Sequence, residues 1–213
     1  MAPFDPKRTF EQSDFTSCRR EPPPLLFGIL SVTILAALAV KNTVHFGFND
    51  GHTVGDTPMP GEGYPWVWLG PWLLGVSGSS AAFAILCQHR ERFNDGCESI
   101  EALVLRIRIV LTESGIGQKD DDEVEVRFGI WCLLLHPRGE VWDVDDALAY
   151  SRIPDDTLWA RGSGSEYALG AEHALKSLQV PAPERVRAAV EAAIALDLYC
   201  CGAGHVEVLR EHH

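Results

Sequence analysis

The chain has 213 residues, 46% hydrophobic and 23% charged, a balance that suits a folded protein with one sizeable domain or at most two small ones. Its 18 Lys and Arg face 30 Asp and Glu, for a net charge of −12, and no basic run is longer than Arg19-Arg20. Binding a phosphate backbone needs positive charge, so this balance argues against a nucleic-acid partner. The six cysteines (Cys18, Cys87, Cys97, Cys132, Cys200 and Cys201) contain no CxxC pair. They suit neither a zinc site nor a disulfide framework and point to a reducing, cytoplasmic compartment, with no metal or cofactor expected.

In chain order, residues 1–23 are polar and end in a proline run, as a flexible leader does. A leader or propeptide-like segment over 1–30 and a single domain over 31–213 follow from this. Pro24 to Val40 carries no charge over 17 residues, just short of the about 20 that a membrane helix needs. Its β-branched and small residues, with a second apolar run behind it, favour buried strands and make membrane contact the lesser reading. An anchor or signal segment is the rival. Residues 33–40 and 43–48, joined by Lys41-Asn42, read as a hairpin buried on both faces, and Asn49-Asp50-Gly51 as a turn.

Residues 55–70 are rich in Gly and Pro and read as loop with a short strand at 66–69. The aromatic run from Tyr64 to Trp72 suits packing, an interface or a peptide-binding groove. A strand at 72–77 leads to Ser79 or Ser80, either of which can cap a helix through 81–93. A second helix over 97–113 carries Ile100, Leu103, Ile107 and Leu111 at helical spacing. After an acidic loop at 120–123, residues 124–135 and 140–144 form a hairpin around Pro137-Arg138-Gly139. Ser163 or Ser165 caps a third helix, Pro183 opens a fourth, and a strand at 205–209 closes the chain. Strands apolar on both sides need cover on both faces. Two helix pairs over two stacked sheets give an α+β fold, a four-layer αββα sandwich.

Four stretches on this framework resemble the proteasome β-subunit and HslV-type peptidase family, which has the Ntn-hydrolase fold. They are Thr33-Ile34-Leu35 with the later Asp50-Gly51 and Thr53-Val54-Gly55-Asp56-Thr57, then Gly75-Val76-Ser77-Gly78-Ser79, then Gly162-Ser163-Gly164-Ser165-Glu166-Tyr167-Ala168, and Asp197-Leu198-Tyr199-Cys200-Cys201-Gly202. They span roughly residues 31–210 in the family's order. None is specific alone; their strength lies in occurring together on the expected order of strands and helices.

The resemblance implies an N-terminal threonine nucleophile at Thr33, whose freed α-amine is the general base. It places the oxyanion donor at Gly78, supporting groups at Ser163, Asp197 and Cys200, and the acid that orients the activating lysine at Asn49 or Asp50. It also implies a homo-oligomeric ring, peptide or protein substrates, and room for an ATPase partner that the residues do not identify. The departures are equally specific. Asn49 stands where an aspartate is expected, Cys200 where a serine is, and Val32 where processed subunits present glycine. The activating lysine is missing: no Lys or Arg occurs between Lys41 and Arg90, and Pro65 or Trp66 falls in its place. His52 is the nearest candidate cation. The expectation is therefore a degenerate, unprocessed subunit, with an active threonine peptidase as the alternative.

Overall fold

The computed structural model describes residues 31–32, 34–54, 57–59, 64–117 and 125–211. The leader over 1–30, Thr33 and the acidic loop at 120–123 lie outside the described residues.

Two antiparallel sheets stack face to face. One has the strand order β11-β2-β3-β12 and comprises Leu158–Arg161, Leu35–Val40, Thr43–Asn49 and Gly204–Leu209. The other has the order β10-β9-β8-β7-β6 and comprises Tyr150–Arg152, Glu140–Val144, Ile130–His136, Trp72–Gly78 and Trp66–Leu69. Helices α1 (Ser80–Gln88) and α2 (Ile100–Glu113) cover the outer face of the second sheet, while α3 (Ser165–Lys176) and α4 (Ala182–Leu196) cover the first. The result is the expected four-layer αββα sandwich. A small third sheet joins β1 (Ser31–Val32), β4 (His52–Val54) and β5 (Thr57–Met59) in the order β1-β4-β5.

Alternation along β2 explains why this strand reads as continuously apolar. Leu35, Ala37 and Ala39 face the second sheet and pack with Phe46, Phe48, Leu133 and Leu135. Ile34, Ala36 and Leu38 face the helices and pack with Val186, Ala189, Val190 and Ala193 of α4. Both sets must be apolar because both sides are covered. The hairpin between β2 and β3 turns at Lys41 and Asn42, which take φ values of 49° and 58°. Two consecutive left-handed residues make the turn whose twist matches that of the strands. The segment read as a rival membrane span thus ends as a central strand, and no helix among the described residues is long and apolar enough to cross a membrane.

Several expectations are corrected. Residues 55–70 hold the expected strand at Trp66–Leu69 and one more, β5, which pairs with β4 just before it, Val54 with Thr57. The strand expected to start at 124 starts at Ile130, after Gly129 takes a φ of 68°. Strands β10 and β11 arise where the sequence reading placed nothing. Helix α3 is capped at Gly164 with no side-chain bond, so neither Ser163 nor Ser165 caps it. Ser79 does cap α1, its hydroxyl accepting the Ala82 N–H at 3.3 Å. Of the alternatives offered for the aromatic run, packing holds for its tryptophans, which turn inward. Trp72 is 2% exposed and donates its indole N–H to the Cys97 carbonyl at 2.9 Å, while Trp66 and Trp68 lean against the core between the sheets.

Candidate functional site

The segment on either side of position 33 is held from both directions. Before it, Ser31 and Val32 pair antiparallel with Thr53 and His52. After it, the Ile34 N–H donates to Asn49 Oδ1 at 3.1 Å. Asn49 has no exposed surface, and its Nδ2 donates to the carbonyls of Cys201 at 2.8 Å and Gly51 at 3.2 Å. Asparagine suits this place for a physical reason. A carboxylate would keep the bond from Ile34 but set its second oxygen and its charge against two buried carbonyls.

The neighbouring Asp50 is committed elsewhere. Its Oδ1 accepts the Ala203 N–H at 2.7 Å and its Oδ2 lies 2.9 Å from His205 Nε2. Burial pushes this carboxyl up, but the bonds from His205 and Ala203 outweigh that and leave it below the ordinary range. The His205 ring stacks on Phe48 at 5.3 Å, and Tyr64 and Trp66 complete an aromatic corner, with Trp66 lying 6.5 Å from Phe48 at a 70° tilt. Trp66 is one of the two residues that fall at the place of the missing lysine. The corner it fills is made of ring faces and edges.

The loop carrying Ser163 and the loop carrying Asp197 meet. Asp197 accepts the Cys200 thiol at 3.3 Å and the Tyr199 N–H at 3.0 Å. Gly164 lies directly over Cys200, because a Cβ there would stand 2.7 Å from its Sγ and 2.6 Å from the Ala193 Cβ. Any larger residue would push the serine loop off the end of α4. Cys200 is 5% exposed.

Gly78 and Ser163 line one pocket of about 350 Å³ at the mouth between the sheets, together with Ser77, Trp131, Arg161, Gly162 and Ser165. Gly78 takes a φ of 109°, and a Cβ there would come within 2.4 Å of the Gly129 carbonyl. That close approach requires glycine. Helices α1 and α3 both begin at this rim.

Arg161 is the residue the sequence reading passed over. It ends β11, opposite Leu35 of β2. Its Nε and Nη2 reach across to the two carboxylate oxygens of Asp143 on β9, at 2.6 and 2.5 Å. Asp143 is 9% exposed, so this bidentate pair bridges the two sheets next to the pocket. Its signal in the sequence was a charged side chain directly before Gly162-Ser163-Gly164.

Six of the seven sequence-derived residues are therefore placed. Asn49, Ser163, Asp197 and Cys200 gather around the start of β2 and the 200–202 loop, Gly78 joins Ser163 in the pocket, and Asp50 turns away to Ala203 and His205. Thr33 lies outside the described residues. So does the side chain of His52, whose backbone runs in β4.

No protein-family model matches the chain, and no curated protein matches it in sequence. Solved structures match it in fold. BPH from Thiobacillus denitrificans superimposes with a TM-score of 0.70 at 19% identity, covering 84% of this chain and 98% of that one. The same protein in complex with epoxomicin gives 0.70 at 18% identity over the same shares. Eukaryotic HslV from Trypanosoma brucei gives 0.65 at 17% identity, covering 84% of this chain and 100% of its own. The chain shares the HslV-type Ntn-hydrolase fold along nearly the whole length of these proteins.

Proposed function

We propose that this chain is a catalytically degenerate subunit of the HslV and proteasome type, which keeps its leader and holds peptides in an oligomeric assembly. The observation that carries this reading is the aromatic corner. Threonine is a weak nucleophile and needs a neighbouring base or charge, and neither residue read at the place of the activating lysine supplies one: Pro65 is uncharged, and Trp66 packs against Phe48 and Tyr64. The aspartate partner is also spent, since Asn49 is neutral and Asp50 is bound to Ala203 and His205. Losing one preorganised electrostatic group costs about 10²–10³ in rate. The loss of a lysine with its aspartate leaves turnover near background, though such effects need not multiply.

Retention of the leader is supported by the pairing of Ser31 and Val32 with β4, which makes the residues before Thr33 part of a sheet. Peptide binding is supported by the pocket that gathers Gly78 and Ser163. Assembly as a homo-oligomeric ring is supported by apolar side chains left at the surface, among them Leu198 at 85% and Leu178 at 68% exposure. A cytoplasmic setting, read from the cysteine pattern, is part of the same proposal, and analogy of fold leaves room for an ATPase partner without identifying one.

The test is to express the full chain, measure its intact mass, and assay fluorogenic peptides beside a Thr33→Ala variant. The expected result is an uncut chain and equal, background hydrolysis in both proteins. A product that begins at Thr33, or hydrolysis lost in the variant, would establish the active threonine peptidase instead.

A further inference from the structure

We propose that the pocket beside Gly78 binds the free C-terminal carboxylate of a peptide whose last side chain is apolar, with Arg161 as the anchor. This rests on the peptide-holding reading above and names the chemistry of the ligand. The first argument is charge. Among the described residues lining the pocket, Arg161 is the one charged group, alongside the hydroxyls of Ser77, Ser163 and Ser165. None of them is acidic, in a chain that carries 30 Asp and Glu against 18 Lys and Arg. The lining thus presents no carboxylate in a strongly acidic molecule, and the one carboxylate that shares the Arg161 charge, Asp143, stands outside the lining.

The second argument is geometry. A guanidinium presents five N–H donors in a rigid planar fork. Asp143 engages Nε and Nη2, so the fork is fixed in orientation before any ligand arrives, with three N–H groups outside that pair. A side chain already held costs less entropy to use than one that must be ordered. Asp143 sits behind Arg161 at 11% side-chain exposure, while Arg161 itself is 28% exposed. Arg161 is thus more open to water than its counter-ion.

The third argument is the wall. Trp131, at 38% exposure, is a large aromatic surface in the lining of the same pocket. A peptide end offers both complements at once, a carboxylate for Arg161 and a last side chain for the indole. An acidic side chain within a peptide offers the same carboxylate without that arrangement, so the two sources can be told apart.

The experiment uses the full chain and hexapeptides labelled at the N-terminus, read by fluorescence anisotropy. Four peptides are compared: one ending in Phe with a free carboxylate, one ending in Ala with a free carboxylate, the Phe-ended peptide with a C-terminal amide, and an amide with Asp in place of Phe. The Phe-ended free acid is expected to bind at least about tenfold more tightly than either amide, as loss of one charge-assisted contact predicts. Arg161→Gln is expected to remove that discrimination. An Asp143→Asn, Arg161→Gln double variant gives the same answer in a protein with no charge left unpaired, which guards against a folding defect. Trp131→Ala should weaken the Phe-ended acid and leave an Ala-ended acid unchanged. Equal binding of acid and amide overturns this inference while sparing the peptide-holding function. So does discrimination that survives in the double variant. Failure of every peptide to bind overturns both.

Discussion

Two arginines tie carboxylates into the same sheet from opposite sides, and the contrast separates architecture from function. Arg185 of α4 lies in the helical layer at 8% side-chain exposure. It bonds to Glu172 of α3, equally buried, and to Asp156 at 2.6 Å in the turn before β11. These contacts push Arg185 above its already high ordinary value, chiefly through Glu172, and hold Asp156 below its own, chiefly through the bond from Arg185. Arg161 works in the space between the sheets, with one carboxylate behind it and a pocket in front. A network whose centre, Arg185 with Glu172, is buried and whose outer member, Asp156, is exposed fixes the docking of α3, α4 and β11. A pair left open on one side keeps donors available.

The sharpest way to break this contrast is to remove each arginine in turn. Arg185→Met leaves Glu172 buried without its partner and is expected to cost about 3–5 kcal/mol of unfolding free energy. Urea denaturation measures it. An added Glu172→Leu should restore much of the loss, since a buried pair replaced by apolar groups of similar volume is often neutral. A cost under about 1 kcal/mol for Arg185→Met would show that the centre of the network is not buried in solution and that the two arginines are alike.

Arg161→Gln is expected to cost less, about 1–3 kcal/mol, because water entering the pocket can reach the stranded Asp143. The same denaturation series decides it. If this change proved the more damaging of the two, Arg161 would be a structural bridge between sheets first, and the proposed anchoring role would have to be carried by a residue the fold can hardly spare.

How much of this was legible beforehand divides along the same line. The layered fold was, because its signals are long and periodic: β2 apolar on both faces, α2 with Ile100, Leu103, Ile107 and Leu111 all buried, and Ser79 before α1. What escaped was short or set by partners far along the chain. Strands β4, β5 and β10 have three residues each, too few to show a period of two. Strand β11 has four, and only its pairing with β2 gives Arg161 its place. The cap of α3 went to Gly164 because close packing on Cys200 and Ala193 outweighs the preference for a hydroxyl. At the site, the departures at Asn49 and at Pro65 or Trp66 were visible as letters, and Asn49 and Trp66 are the two with partners far along the chain. Their meaning, one satisfied by two carbonyls and the other sunk in an aromatic corner, depends on residues 152 and 18 positions away, Cys201 and Phe48. Arg161 could be read only once Asp143 was known to face it.

The smallest expected effect belongs to Asp50, and it tests whether the bond to His205 extends the style of the Arg185 network to the loops around position 33. The carboxyl is 27% exposed and its partner ring 36%, so the pair is screened and should contribute under about 1 kcal/mol. Its sign is nonetheless fixed. Burial raises the carboxyl, the bonds from His205 and the Ala203 N–H lower it by more, and the folded value lies below the ordinary one. A carboxyl depressed on folding stabilises the protein above its unfolded pKa of about 3.9, and that contribution disappears as pH falls through the lower folded value. Unfolding free energies of the parent and of Asp50→Asn, measured from pH 7 down to pH 2, should therefore differ most above pH 4 and converge below it. Taking the difference between two proteins cancels the other carboxyls, which titrate in the same range in both. A gap that is constant with pH would mean that the asparagine loses packing and not charge. A gap that widens towards low pH would mean that the carboxyl is raised on folding, with burial outweighing both bonds.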